Sequence, residues 1–369
     1  MLKHFFSLLL VAVALPSCLE PTTPEFRINE AFYLAEGNIL AGGSGSEIRL
    51  SESRFETADL TFEGIEGAEV LSVRSDGRSV SWQLTDAKKG KYAPPEDFVT
   101  SPGERWSFDI TLPDGTSIIS EPETIPMPVE VDAVNLLFKQ NSIFDEGRNR
   151  FIPRFEIFID YQDPAGEKNY YAYDFRFWEE VIVCISCPRG RYNGVVCVSD
   201  PSVRPRYDYY CDTDECYSLT AGLATTYSSD ALYDGNALRD VPIGGVTFDA
   251  IGGLLVEAEL RSITEAAFDY GKVIQDLVTG SSGLNPTIPA ALNGNVRNAN
   301  PEGRTVLGYL GAAASGRRRS FILRTLDIGS PLTFDNNIFT EPIPPPGVPP
   351  LAPCNIPGRS SERPEGWPE

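Results

Sequence analysis

Histidine is almost missing from this chain: there is one, His4. It lies in an N-terminal stretch that reads as a removable signal, so the mature chain is expected to hold none. Ser-His-Asp and Cys-His catalysis, histidine general bases and histidine metal ligands are then excluded. Basic charge is scarce as well. Thirty-one Lys and Arg stand against 52 Asp and Glu, a formal net charge of −21. Such a surface argues against nucleic acid or anionic lipid as a partner and for a self-repelling, soluble body. Long helix-periodic stretches are rare too, whereas 32 Gly, 30 Pro and many Tyr and Phe are present. That balance describes an all-β chain with many turns. There is no repeat at solenoid or propeller periods, and with no cofactor fingerprint in view no cofactor is expected.

What is present begins with an address. Lys3 gives a short basic start, Phe5 to Leu15 is an apolar run, and Leu15-Pro16-Ser17 leads into Cys18. A charged end, an apolar run and a small residue before the cut form a secretory signal. The cysteine directly after the small residue makes it a lipoprotein signal over 1–17, with Cys18 lipidated and 18–26 serving as a tether. Acyl chains at about 0.8 kcal/mol per buried CH₂ hold a protein on a membrane, and two or three of them do so stably. Attachment to the outer membrane is expected. Glu20 alone does not decide between its periplasmic and cell-surface faces.

Six further cysteines, Cys184, Cys187, Cys197, Cys211, Cys216 and Cys354, suit disulfides in an exported chain. Cys184-Ile-Ser-Cys187 resembles half a zinc ribbon or a redox pair. The first reading lacks a second CxxC and the second lacks a strand-to-helix setting, so structural disulfides are expected. Six cysteines allow fifteen pairings, and none is selected by spacing.

Along the chain, residues 27–126 read as an immunoglobulin-like or transthyretin-like antiparallel β-sandwich. Short strands are expected at Ala31 to Leu34, Ser46 to Ser51, Ala68 to Arg74, Val80 to Leu84, Arg105 to Leu112 and Ser117 to Ser120. Pro113-Asp114-Gly115 supplies a turn. Gly67-Ala68 and Gly90-Lys91-Tyr92 read as structural, a tight turn with a tyrosine packed over it. Ile125-Pro126-Met127-Pro128 breaks the pattern, and residues 127–340 form a larger antiparallel β domain with one helix. There Phe155, Ile157, Ile159 and Tyr161 share one strand face, and Tyr171, Tyr173, Phe175 and Phe177 share another. Joined by Asp163-Pro164-Ala165-Gly166, they are expected to pair as a hairpin. A cysteine-bearing insert occupies 184–216. Leu254 to Leu260 is a strand leading to a helix with Ser262 and Glu265 at capping-box spacing, Phe268, Ile274, Leu277 and Val278 on one face, and Gly280 just past the end. Strands Thr305 to Leu310 and Phe321 to Arg324 follow, with Arg317-Arg318-Arg319 read as a solvated hairpin tip. Residues 341–369 are a proline-rich tail in extended polyproline geometry, wrapped over the surface or protruding.

Several of these landmarks together resemble a known family. They are Phe32-Tyr33-Leu34-Ala35-Glu36-Gly37-Asn38-Ile39, Ile65-Glu66-Gly67-Ala68-Glu69-Val70, Gly90-Lys91-Tyr92 and Pro102-Gly103-Glu104. Later come the helix start from Ser262 to Tyr270, Asn293-Gly294-Asn295-Val296, Leu307-Gly308-Tyr309-Leu310, Cys354, and Arg363-Pro364-Glu365-Gly366-Trp367. In this order they resemble the Bacteroidota lipoprotein family catalogued as domain of unknown function 4249. The resemblance implies an outer-membrane lipoprotein acting beside a TonB-dependent receptor, and it brings no catalytic residues.

Candidate contact residues come from the insert. Tyr207, Tyr209, Tyr210 and Tyr217 suit ligand or protein contact. Among them lie Asp208, Asp212, Asp214 and Glu215, weak candidates for Ca²⁺ that lack the glycine and spacing of an EF-hand loop, so no metal is expected. A carboxylate pair of the glycosidase kind is an alternative, but no spacing singles one out. The expectation is a non-enzymatic binding protein that assists a TonB-dependent transporter in nutrient uptake, its ligand unidentified. A structural or assembly subunit of an outer-membrane complex and a carboxylate-based secreted hydrolase are the alternatives.

Overall fold

Period-two alternation sets the first elements. In Arg105–Thr111 the buried side chains are Trp106, Phe108 and Ile110, while Arg105, Asp109 and Thr111 face solvent. The computed structural model describes residues 31–56, 59–188, 190–193, 195–202, 207–211, 215–280, 294–332, 338–340, 354 and 356–368. The expected signal, Cys18 and the tether 18–26 lie outside them. From Phe32 onward the chain forms one unit. It is built mainly of strands, most of them antiparallel, with one helix among the described residues.

The spine is the 19-residue strand Val306–Arg324. Along its first half it pairs in parallel with Tyr33–Leu40, Tyr33 opposite Val306. Along its second half it pairs antiparallel with Gly252–Ile263, Gly252 opposite Arg324. Beyond Tyr33–Leu40 the sheet continues through Glu47–Glu56, Lys91–Ala93, Ser79–Asp86, Glu69–Arg74, Arg105–Thr111 and Ser117–Ser120 to Val296–Asn298. Beyond Gly252–Ile263 it continues through Tyr170–Glu180 and Tyr217–Ala221 to Arg359–Ser360. A second sheet of Val131–Asp145, Arg150–Gln162 and Ala237–Thr247 covers the later half.

Two large apolar cores and two smaller clusters result among the described residues. The first holds Ile48, Leu50, Val70, Trp82 and Ile110, and it draws in Val306, Leu310 and Val296 from far downstream. Trp82 meets Phe108 edge-on at 5.2 Å, and Phe98 meets Trp106 at 5.5 Å. The second core holds Phe155, Ile157, Tyr161, Tyr171, Phe248 and Val256. Within the first core, the buried Tyr92 ties a turn shut. Its hydroxyl donates to the Ile65 carbonyl at 2.9 Å and accepts the Ala68 amide at 3.0 Å. Gly90 takes φ +59°, and a Cβ there would lie 2.0 Å from the Leu50 carbonyl oxygen, so no larger residue fits. Pro113-Asp114-Gly115 is the expected turn, with Gly115 at φ +87°.

Three expectations are corrected. Arg150–Gln162 and Tyr170–Glu180 do not pair as a hairpin. The first pairs with Val131–Asp145 and Ala237–Thr247, the second with Gly252–Ile263, Tyr217–Ala221 and Thr226–Ser229. Their apolar faces meet across the interior instead, where the Tyr161 and Tyr173 hydroxyls hydrogen-bond at 2.7 Å. Arg317-Arg318-Arg319 is no hairpin tip but lies within the spine, because Glu259 and Glu257 stand directly opposite Arg317 and Arg319 and neutralise them. The helix, Glu265–Gly280, is capped by Thr264 and not by Ser262. The Thr264 hydroxyl accepts the Ala267 amide at 3.2 Å, while Ser262 is buried in the preceding strand.

Candidate interaction surface

One face of the long sheet is a lattice of paired charges. Strand register puts Asp174, Arg176 and Trp178 on it from Tyr170–Glu180, Arg261, Glu259 and Glu257 from the next strand, and Ser315, Arg317 and Arg319 from the spine. Glu257, 5 % exposed, sits between Arg176 and Arg319, whose Nε atoms donate to its two oxygens at 2.7 and 2.6 Å. Arg317 donates twice to Glu259, which also accepts the Ser315 hydroxyl at 2.6 Å. Those donors hold the Glu259 carboxyl below its usual range against the opposing effect of burial. Arg261 pairs with Asp174. The Trp178 ring lies 5.2 Å from both the Arg176 and the Arg319 guanidinium.

The chain end borders this face. Trp367 meets Tyr217 at 4.9 Å and Phe321 at 5.1 Å, both edge-on. It lies over Gly253, where a Cβ would come within 2.4 Å of the ring. Arg319 donates to the Glu365 carbonyl at 2.6 Å, Arg363 pairs with Glu215 at 2.6 Å, and Arg359–Ser360 joins the sheet beside Tyr217–Ala221. Of the two expectations for the tail, wrapped over the surface or protruding, its described end follows the first and lies on the sheet; residues 341–353 lie outside the described residues. A disulfide between Cys216 and Cys354, 138 positions apart, ties it down at Cys354.

The second disulfide joins Cys187 to Cys197 inside the insert. There Ile182–Pro188 pairs with Tyr207–Cys211, Cys184 opposite Cys211. The side chains of Cys184, Cys211, Tyr207, Asp208, Tyr209 and Tyr210 lie outside the described residues, as do Asp212 and Asp214 altogether. Of the contact and cation candidates, Tyr217 and Glu215 are placed, and neither is free for its expected part. Tyr217 is 2 % exposed, packed under Trp367, with its hydroxyl donating to Glu215 at 2.7 Å. Glu215, a candidate cation ligand by sequence, is taken by Arg363, which holds its carboxyl below the usual range.

A group that the sequence reading missed is Asp163, Asp230 and Asp234, whose ligand oxygens all lie within 4.8 Å of one another. Asp163 and Asp230 are buried. Such hard oxygens suit a divalent cation in general, yet each carboxylate here already accepts a backbone amide. Gly235 donates to Asp163, Asn169 to Asp230 and Gly166 to Asp234, each at 2.8 Å, and the Tyr171 hydroxyl also donates to Asp163. The group therefore clamps the 163–169 arch to the 230–236 loop. The Asp-Pro-Ala-Gly and Asp-Gly-Asn turns were the available signal.

Compared with known families, the chain matches the model described as "Domain of unknown function (DUF4249)" over residues 19–319. No curated protein matches it.

Proposed function

The chain belongs to this family, and from that premise we propose that it is a non-catalytic lipoprotein of the outer membrane assisting a TonB-dependent transporter in nutrient uptake. The lipid on Cys18 holds it beside the channel, and the later half of the sheet makes the contacts. The observation that carries the reading is the arginine–carboxylate face around Trp178. Its guanidiniums are fixed in place by buried or half-buried carboxylates, and the Arg176 and Arg317 side chains remain 44 % exposed. Planar donors held in fixed geometry favour specific, directional recognition of a partner without covalent chemistry. The acidic remainder of the surface opposes indiscriminate association.

A pull-down of the full chain from detergent-solubilised outer membrane tests this. A TonB-dependent receptor should co-purify, and Arg176→Ala with Arg317→Ala should weaken its recovery several-fold. Recovery of a different outer-membrane complex in place of the receptor would move the assignment to an assembly subunit. On the insert strand, Tyr207→Ala, Tyr209→Ala and Tyr210→Ala together should also weaken association with melting unchanged; full retention would remove that strand from the contact surface.

A further inference from the structure

The hairpin of Val131–Asp145 and Arg150–Gln162 outruns its own sheet. Its third strand, Ala237–Thr247, pairs only as far as Thr247 opposite Arg154. Beyond a register shift between Lys139 and Ile143, the hairpin continues as a two-stranded ribbon with Ile143 opposite Ile152 and Phe144 opposite Phe151. Ile143, Phe144 and Phe151 are 46, 47 and 51 % exposed. The two phenylalanine rings meet edge-on at 5.2 Å. Neighbouring positions on a strand face opposite ways, so the ribbon is apolar on both surfaces. A two-stranded ribbon has no core of its own in which to bury them.

The ribbon is held at its base. The Gln140 amide donates to the Ser330 carbonyl at 3.1 Å and accepts the Ser330 amide at 3.0 Å. Its direction follows from packing. Gly316 lies on the backbone of Val129 and Glu130, while Phe138 lies on Gly329, past the end of the spine at Arg324. The hairpin thus runs alongside the spine and leaves at its Arg324 end. The chain enters the folded unit at Phe32, beside Val306, at the opposite end of a strand about 60 Å long.

Chemistry narrows the occupant. The apex carries Asp145, Glu146, Arg148 and Arg150, a net charge of zero on a chain whose total is −21. Insertion into hydrocarbon would carry those charges in first, at high cost. A flat surface would cover one apolar face and leave the other in water. A cleft with apolar walls covers both and lets the polar apex emerge. We propose that this ribbon inserts into an apolar-walled cleft of an integral outer-membrane protein. That the cleft belongs to an integral outer-membrane protein, the TonB-dependent receptor, rests on the accessory reading; the ribbon itself argues for the cleft.

The test uses the full chain in its native membrane. A photo-crosslinking phenylalanine analogue in place of Phe151 should yield an adduct with the receptor. Phe144→Ser with Phe151→Ser should lower receptor recovery at least tenfold while the melting temperature stays within about 2 °C of wild type. A lipid adduct, an adduct with a second copy, or no adduct overturns the proposal, as does receptor recovery within twofold of wild type in the double variant. An adduct with a different integral protein, lost in that variant, would sustain the ribbon and refute the accessory reading.

Discussion

Replacing Glu179 with leucine isolates a charge in the second half of the fold. The Arg324 side chain is 0 % exposed and its Nη1 lies 2.6 Å from Glu179 Oε1. Its Nε donates to the Gly252 carbonyl at 3.3 Å. Burial raises the Glu179 carboxyl above its usual range despite Arg324, with Asp249 pushing the same way. The pair therefore adds little net stability compared with two solvated ions, yet breaking it strands a buried guanidinium. Breaking a buried pair costs about 3–5 kcal/mol. Glu179→Leu should therefore cost about 3 kcal/mol or more. Replacing both partners, Glu179→Leu with Arg324→Met, should cost no more than about 1 kcal/mol, since no charge is then stranded. Urea denaturation followed by tryptophan fluorescence reads both, with an unchanged m-value expected. A single variant losing less than about 1 kcal/mol, or a double variant as unstable as the single, would show that no charge is stranded.

Tyr92→Phe should cost about 1–2 kcal/mol in the same assay, because it leaves the Ile65 carbonyl and the Ala68 amide without their hydroxyl partner. Burial and carboxylate partners raise the Tyr33 and Tyr170 phenols to about 12, and burial does the same for Tyr270. The folded state thus keeps protons that the unfolded chain gives up near pH 10, so this stabilisation is complete below pH 10 and is lost as pH rises towards 12 and beyond. Phenolate absorbance should then show fewer than the 15 tyrosines titrating near pH 10, the rest appearing only on unfolding; all 15 titrating together in folded protein would contradict it. Cys216→Ser with Cys354→Ser should cost about 2–4 kcal/mol and loosen the chain end, seen as faster proteolysis after Cys216.

Local chemistry was legible where one stretch decides the outcome. The alternation in Arg105–Thr111 and the Pro113–Gly115 turn acted as their residue types require, whereas Gly280, expected just past the helix, is its last residue. The false hairpin shows where that reading stops. Period-two patterns in Arg150–Gln162 and Tyr170–Glu180 identify buried faces, but two such faces are satisfied equally by lying side by side or by meeting across a sandwich. Only the distant strands Ala237–Thr247 and Gly252–Ile263 decide between these. Arg317 and Arg319 looked like solvated charge because their partners, Glu259 and Glu257, lie about 60 residues away. The aspartate clamp joins turns that are likewise far apart in the chain. The face around Trp178 was invisible for the same reason, being assembled from three strands whose register no single segment encodes.

Direct contact with a TonB-dependent receptor, as proposed, can be measured with two purified components. The chain lacking residues 1–17, immobilised through its N-terminus, should bind a detergent-solubilised TonB-dependent receptor from the same membrane, saturably and more weakly in the Arg176→Ala, Arg317→Ala variant. No saturable binding to that receptor, with the chain folded and both disulfides intact, would contradict it.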